Sequence, residues 1–407
     1  MDTINKKCLV FEAYPFFSGA QKINLNLCKV LKANNYTITL LIADNQFGIL
    51  EEKFRDFVDE IVIAPTDKRL TQYGNSKQWF SVINFIRSIL FGVIPFYVFC
   101  IKLFLKKKFD YFYFCDPRGA TMIAPPAFFF RGKKIVYLQS KNRLGKFLAT
   151  FIYQLLNNEV VCASSDVADS LPFSKKKSVI NYGVDYTQYG EIYTDTVQAE
   201  IEFCLAKRNL NKNNRAVLLY AGLMKPQKGV HHLIYALSKL KNVMPEKDLP
   251  ILFMLGESKT EAEHNYIQNL QQFLQENNVS HYVFWMGFKN NILEWMQSAN
   301  YLIFPTIDKE NCFFQGFEAV IESTEGSPTV LIEASICNLF SIAANVTGVE
   351  EIITNNENGL KYNPNNKEEL FNLLKDVLKD KPSFKTFPNK DLFSADTFAS
   401  KFLSVFK

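Results

Sequence analysis

Two carboxylates, Glu325 and Glu333, stand eight positions apart around a short segment whose residue types suit an anion. Gly326 permits backbone angles closed to other residues, Ser327 is a good helix N-cap, and Pro328 suits a first helical turn. The first free N–H groups of that helix, near Ser327 to Val330, then point into the loop. Hydrogen bonds and the helix dipole both favour an anion there. Thr329 and Glu333 fall one turn apart on a shared face. Phosphate on the N–H groups and hydroxyls on the acids would suit a phosphorylated sugar. Taken alone, the same residues fit an ordinary capped helix with solvent-facing acids equally well.

The surrounding elements decide between the two. Ala216 to Gly222 reads as a buried strand, and Val230 to Leu240 as a helix with Leu233, Ile234, Ala236, Leu237 and Leu240 at core spacing. Pro250 to Glu257 and Tyr282 to Phe288 each read as strand then turn, and Ile292 to Ser298 as a short helix. Tyr301 to Pro305 and Phe340 to Ala344 supply two more strands. Buried strands alternating with helices predict a parallel, doubly wound sheet. Ligands of such sheets bind at the carboxyl ends of strands, where Gly222, Gly256, Gly287 and Glu325 all fall.

With those strands in place, the chain resembles the retaining glycosyltransferases of family 4, which have the two-domain GT-B fold. The likeness is carried by Ala221-Gly222 with Lys228-Gly229, Met286-Gly287-Phe288, and Glu325-Gly326-Ser327-Pro328 with Glu333-Ala334. Thr347-Gly348-Val349-Glu350-Glu351-Ile352-Ile353 with Asn358-Gly359-Leu360 adds to it. Asn181-Tyr182-Gly183-Val184-Asp185 looks like the family's short signature closing the N-terminal domain. The match is dense over the C-terminal half and thin over the N-terminal half.

The resemblance implies two Rossmann-like doubly wound α/β domains facing a cleft. Residues 1–190 would face acceptor and membrane, 191–390 would bind the donor nucleotide, and 391–407 would form a helix crossing back. Glu325 would contact the donor sugar, Lys228 the leaving diphosphate, and Glu333 the ribose hydroxyls. Gly19, Gly222, Lys225, Gly287, Phe288, Gly326, Ser327, Pro328, Thr329 and Val330 would surround the donor.

Two departures stand out. The family usually has Arg directly after the glycine of its first block, and here Leu223 stands there. Lys225 is nearby, but Lys is a mobile point charge and not a planar fork. The stretch Ile307 to Thr324 is also longer than usual and contains a look-alike, Gln315-Gly316-Phe317. Eight residues beyond Gln315 is Ser323, not an acid, so that register is rejected.

At 407 residues, with 48% hydrophobic residues, the chain is long enough for two cores and too apolar for disorder. Eight scattered cysteines include no C-x-x-C pair, and all four histidines lie at or beyond His231. This spacing argues against a Cys/His zinc site and for reduced, buried thiols in a cytosolic protein. The run Cys8-Leu9-Val10-Phe11 reads as a first strand, too short for a signal peptide.

In the N-terminal half, Ile23, Leu27, Val30 and Leu31 give a helix its core stripe, and Tyr36 to Ala43 returns a strand. Gly19 lies in the loop before that helix; a phosphate approach and a plain turn glycine fit it equally. Strands follow near Tyr111 to Phe114, Ile135 to Leu138 and Val160 to Ala163. Their carboxyl ends would set Asp116, Arg118, Gln139 and Ser140 toward the acceptor. The family often has a His in this region, and this half has none, so no acceptor residue is carried over.

Charge divides unevenly: residues 1–185 hold 25 Lys+Arg against 15 Asp+Glu, and 186–407 hold 21 against 26. Basic clusters occur at Lys106-Lys107-Lys108, Arg131/Lys133/Lys134, Lys141/Arg143/Lys146 and Lys175-Lys176-Lys177. Beside the first lies the aromatic, apolar stretch Phe80 to Leu105, whose longest uncharged piece, Ser88 to Ile101, is 14 residues. A spanning helix needs ~20. Phe80 to Lys108 is therefore expected to dip into an anionic membrane surface, the alternative being a buried pair of helices. Nucleic acid is not an expected partner, because the aromatics are not interleaved with the basic residues and no binding motif accompanies them.

The expected activity is sugar transfer from a nucleoside diphosphate to a lipid-linked or cell-envelope glycan, with retention at the anomeric carbon. No cofactor is expected beyond the donor substrate. The chain lacks a D-x-D cluster, so no metal is expected at the diphosphate. The enzyme would be cytoplasmic and peripheral on the inner face of the membrane. The alternatives are a sugar-nucleotide epimerase of the same fold, a non-catalytic GT-B-like partner subunit, and a membrane-surface scaffold.

Overall fold

The computed structural model describes residues 6–17, 19–66, 87–157, 159–173, 177–186, 194–212, 215–258, 260–322 and 325–407. The chain divides into two compact units, Met1–Val184 with Leu392–Lys407, and Asp185–Asp391. Each is an α/β unit built on a parallel sheet.

The first unit carries seven parallel strands: β1 Lys7–Glu12, β2 Thr37–Ile42, β3 Glu60–Ile63, β4 Tyr111–Cys115, β5 Lys133–Leu138, β6 Glu159–Cys162 and β7 Ser178–Val179. Their order is β3-β2-β1-β4-β5-β6-β7, so the direction of winding reverses between β1 and β4. β4 is buried at all five positions, as a parallel strand covered on both faces must be. The helix Gly19–Ala33 buries Ile23, Leu27 and Leu31 on the sheet, with Cys28 beside them and Val30 at the margin.

The terminal helix Ala395–Val405 belongs to this first unit. Ser394 caps it, accepting from the Thr397 amide, and Val184 clamps its entry through bonds to Phe393 and Ala395. Phe402 is fully buried and sets its ring edge-on to Tyr137 at 5.4 Å and Tyr113 at 6.2 Å.

Much of the apolar stretch expected at a membrane surface is a single continuous helix, Ile89–Lys106, opening with a π-turn over Ile89–Val93. Residues 80–86 of that stretch, and Lys175-Lys176, lie outside the described residues. One stripe of the helix, Phe96, Cys100 and Phe104, joins the core; Phe104 meets Phe112 at 5.3 Å and Phe130 at 5.5 Å. The opposite side exposes Leu90, Phe91, Ile94, Val98 and Leu105 to solvent. Neither a fully buried helix nor a polar outer face results. At 18 residues and a mean hydropathy of 2.0, this is the one helix among the described residues long and apolar enough to cross a membrane.

The second unit has six parallel strands: β8 Val217–Ala221, β9 Ile251–Leu255, β10 Val283–Gly287, β11 Tyr301–Phe304, β14 Phe340–Ala344 and β15 Gly359–Tyr362. Their order is β10-β9-β8-β11-β14-β15, again with the switch beside the first strand of the unit. Between β11 and β14 the chain inserts an antiparallel hairpin, β12 Lys309–Phe314 and β13 Phe317–Glu322. The look-alike motif is its turn. Gln315 and Gly316 both take positive φ, 46° and 76°, the geometry a two-residue hairpin demands, and this accounts for the extra length of the segment.

Truncating Phe402 to Ala leaves a hole against two tyrosines at the base of the first sheet. The variant is expected to lose about 3–5 kcal/mol. Urea unfolding followed by fluorescence of the intact chain checks this, and an unchanged midpoint contradicts the packing described.

Candidate functional site

In the second unit the carboxyl ends of β8, β9 and β10 are stacked glycine on glycine. The Gly222 amide donates to Leu255, and the Gly256 amide donates to the Gly287 carbonyl at 2.8 Å. This leaves Gly287, with φ of 69°, and the exposed Phe288 on the outer strand of that edge.

Beyond Gly222 the chain turns back sharply. Tyr220 Oη donates to the carbonyl of Leu223, and the Lys225 amide donates to the same oxygen. Leu223, in the place of the family's Arg, thus contributes a fixed carbonyl and a half-buried apolar side chain. Pro226–Lys228 forms a single 3₁₀ turn closed by Gly229 at φ 65°. A Cβ at residue 229 would lie 1.8 Å from the Pro305 carbonyl oxygen, so only glycine lets this turn sit on the end of β11.

That turn aims Lys228 at Glu325, and the two form an ion pair. Both side chains are about four-fifths buried, with 22% and 17% exposure. The sequence suggests separate tasks for them, Lys228 on diphosphate and Glu325 on sugar; the structure joins them to each other. A largely buried ammonium left alone is costly, so a phosphate would have to take the place of the carboxylate on Lys228 as the two part.

The helix after Glu325 begins one residue later than the sequence suggests. It spans Thr329–Ile336 with Pro328, not Ser327, at the N-cap, because Pro328 adopts an extended ψ of 102°. The Leu331 amide bonds back to Pro328, while the N–H groups of Thr329 and Val330 precede any intrahelical acceptor. Ser327 Oγ is buried and has no hydrogen-bond partner among the described residues. Such an atom costs about 1–3 kcal/mol unless something binds it. Gly348, at φ 80°, packs its turn against Gly326 and Ser327; a Cβ there would lie 2.3 Å from the Gly326 oxygen. Asn358, fully buried, braces that block through Ser335 and Ile352. Glu333 is half-buried one turn along from Thr329. A cavity of about 450 Å³ lined by Asn300, Cys337 and Pro382 lies at the opposite, amino edge of the sheet, away from these groups.

One further cluster joins residues that their sequence spacing keeps apart. Scattered cysteines and late histidines argue, in sequence, against any Cys/His site. The fold nevertheless packs His231 and His232, at the start of the helix Val230–Lys241, against Glu310 and Cys312 of the inserted hairpin. Separation in sequence is no barrier when a hairpin folds back on a helix.

In the first unit, Gly19 opens the helix after β1, and Arg118 lies over the Tyr14 ring at 5.3 Å. Gln139 and Ser140 follow β5, both half-buried. Asp116 ends β4 at φ 65° and ψ 152°, a conformation nearly confined to glycine, and such strain is concentrated at functional sites. Burial pushes its carboxyl up to about 7, against the opposing effect of the Gln139 backbone hydrogen bond.

Sequence reasoning missed its partner. Glu12, the last residue of β1, is fully buried and accepts hydrogen bonds from Asn24 and Gln21. Asn24 in turn accepts from Tyr113 at 2.8 Å and Gln139 at 3.5 Å. Burial raises Glu12 to about 7; the two amide donors oppose this and the Asp116 charge reinforces it. The available signal was an acid closing a run of Cys, Leu, Val and Phe.

An acid raised in the folded chain binds its proton more tightly than in the unfolded chain. Stability is therefore expected to fall as pH climbs from about 4.5 to about 7 and to level off above. Glu12 alone would contribute roughly 3 kcal/mol of that fall. Urea unfolding at pH 5 and pH 8 is expected to show a smaller difference for Glu12→Gln than for the wild type; equal differences would refute the raised carboxyl.

Residues 205–390 match the family model described as Glycosyl transferases group 1. The chain is 23% identical over 273 residues to the N-acetylgalactosamine-N,N'-diacetylbacillosaminyl-diphospho-undecaprenol 4-alpha-N-acetylgalactosaminyltransferase of Campylobacter jejuni. That match covers 65% of this chain and 63% of the relative, under two thirds of its length. Among solved structures, Anabaena HepE in complex with UDP aligns with a TM-score of 0.74 at 15% identity, covering 98% of this chain and 99% of HepE. A glycosyltransferase from Rickettsia africae aligns with a TM-score of 0.71 at 17% identity, covering 99% and 98%. The likeness to the Glycosyl transferases group 1 model thus falls on residues 205–390, in a chain whose two parallel-sheet units have the GT-B fold.

Proposed function

We propose that the chain is a glycosyltransferase that moves a sugar from a nucleoside diphosphate to a lipid-linked or cell-envelope glycan, with retention at the anomeric carbon. One observation carries the reading: Lys228 paired with Glu325 beside a helix start whose Ser327 hydroxyl is buried and unpartnered among the described residues. Anabaena HepE has been solved with UDP and with UDP-glucose, and the Campylobacter relative's name specifies a diphospho-undecaprenol acceptor.

In this reading the diphosphate takes the place of Glu325 on Lys228 and accepts from the Ser327 hydroxyl and the Thr329 and Val330 N–H groups. Charge building on the leaving diphosphate meets donors fixed before the reaction starts, the arrangement that lowers barriers most. Glu325, freed from Lys228, holds the sugar, and Glu333 the ribose hydroxyls. Gly222, Gly287 and Gly326 keep Cβ atoms away from the donor, while Lys225 and Phe288 flank it. Asp116, a carboxyl poised near neutrality and not fully buried, suits proton exchange with an acceptor hydroxyl. The diphosphate needs no divalent ion in this scheme, because Lys228 and the helix start supply the positive potential.

The exposed aromatic side of the helix Ile89–Lys106, together with exposed Phe128, Phe129, Phe147 and Leu148, suits a peripheral seat on the cytoplasmic face of an anionic membrane. Leu223 supports a second reading, a partner subunit that binds donor without turnover.

Lys228→Ala is expected to reduce kcat/KM for transfer by about 100- to 1,000-fold. Proton NMR of the first-formed product should show the donor's anomeric configuration. An inverted product would overturn the retaining assignment, and full activity of Lys228→Ala would overturn the site. UDP binding by a chain that transfers from none of a broad donor panel would favour the partner-subunit reading. Flotation with phosphatidylglycerol vesicles, lost on Phe91→Glu, is expected of the membrane seat; unchanged flotation would contradict it.

A further inference from the structure

The cluster of His231, His232, Glu310 and Cys312 has no part in the transfer scheme, and its geometry is unusual for a protein interior. One ligand atom each from His231, His232 and Glu310 lies within 4.8 Å of the other two. His232 Nε2 approaches Glu310 Oε2 at 2.9 Å, His231 Nε2 approaches the same oxygen at 3.6 Å, and Cys312 Sγ lies 3.4 Å from His231 Nε2. A tetrahedral zinc with bonds of about 2.0–2.3 Å sets its donor atoms about 3.3–3.7 Å apart, so these edges bracket that figure. His231, His232 and Cys312 are 3%, 2% and 1% exposed.

Two details favour a metal over a plain hydrogen-bonded triad. Glu310 Oε2 lies within reach of both imidazole Nε2 atoms at once, and His232 Nδ1 is unpartnered among the described residues. Tyr266 Oη, in turn, contacts His231 Nδ1 at 2.7 Å and accepts from the His231 amide at 3.1 Å. It fixes the ring so that Nε2 faces the cluster, the second-layer support that metal-bound histidines usually have.

We propose that the cluster binds one zinc ion through His231 Nε2, His232 Nε2 and a Glu310 oxygen, the three that already converge, with Cys312 Sγ, 3.4 Å from His231 Nε2, turning in as the fourth ligand. Four protein ligands make a closed, structural site and not a catalytic one. The ion would fasten the inserted β12–β13 hairpin to the first turn of the helix Val230–Lys241, directly after Lys228 and Gly229. It is distinct from any ion at the donor diphosphate, and the proposal stands whether or not the transfer reading holds.

The test uses the full chain expressed in zinc-supplemented medium. Elemental analysis is expected to give about one zinc per chain. Stripping with a chelator should lower the thermal midpoint, and zinc alone should restore it. Cobalt(II) added to the stripped chain should give tetrahedral d–d bands with a sulfur-to-metal charge-transfer band. Cys312→Ser is expected to lose only the charge-transfer band. Glu310→Gln should bind cobalt at least tenfold more weakly while keeping the wild-type far-UV circular dichroism. Less than about a tenth of an equivalent of zinc, with no cobalt spectrum from the wild-type chain, would overturn the proposal and leave a buried His–Glu pair. Unaltered cobalt affinity in both Glu310→Gln and a His232→Ala variant would also overturn it.

Discussion

The contact on which the donor-side architecture turns is the ion pair between Lys228 and Glu325. It joins two loops 97 residues apart in sequence, one leaving β8 and the other leading into the helix Thr329–Ile336. Neither residue could reach the other unless Gly229 lay flat on the Pro305 carbonyl and the Gly348 turn pressed on Gly326. Two close approaches of backbone to backbone therefore set the position of two charges. The pair itself adds little stability. Its value is geometric: it holds a cation and an anion, partly shielded from water, beside helix N–H groups that have no partner within the helix.

The two units solve related problems with different chemistry. The second collects backbone donors, a lysine and a buried hydroxyl at its strand ends, groups an anion can use. The first collects carboxyls. Glu12 and Asp116 both sit at carboxyl ends of buried strands and are deprived of water, and the Asp116 charge adds to the protonation of Glu12. Asn24 links that region together, accepting from Tyr113 and donating to Glu12 and Cys115. A parallel sheet makes both arrangements available, because every strand delivers its final residue to the same edge.

Apolar surface is used in two ways in the first unit. Phe402 and Phe406 on the terminal segment seal tyrosines at the sheet, whereas Phe91, Leu105 and Phe147 remain in solvent. Scattered exposed apolar residues need no explanation, but a helix that buries one stripe and leaves an apolar stripe outside does. The physical difference is whether an aromatic neighbour stands opposite: Phe104 has Phe112 and Phe130, and Phe91 has no such ring among the described residues.

Periodicity alone determined much of this fold. Short apolar runs such as Tyr301–Phe304 and Phe340–Ala344 read as strands buried on both faces, and the stripe Ile23, Leu27, Leu31 as a helix with one buried side, as the structure has them. The pairing of Glu325 and Glu333 around a helix start was also legible, since glycine, serine and proline act locally. The N-cap lies one residue further on than the residue types suggest, because Pro328 takes an extended ψ of 102°. β12 and β13 were missed, since their exposed charges mask strand character until the two pair. The Lys228–Glu325 contact, the buried Glu12–Asp116 carboxyls and the His231–His232–Glu310–Cys312 cluster lay beyond the sequence. Their meaning comes from desolvation and from distances across the sheet and the hairpin, quantities that exist only once the chain has folded.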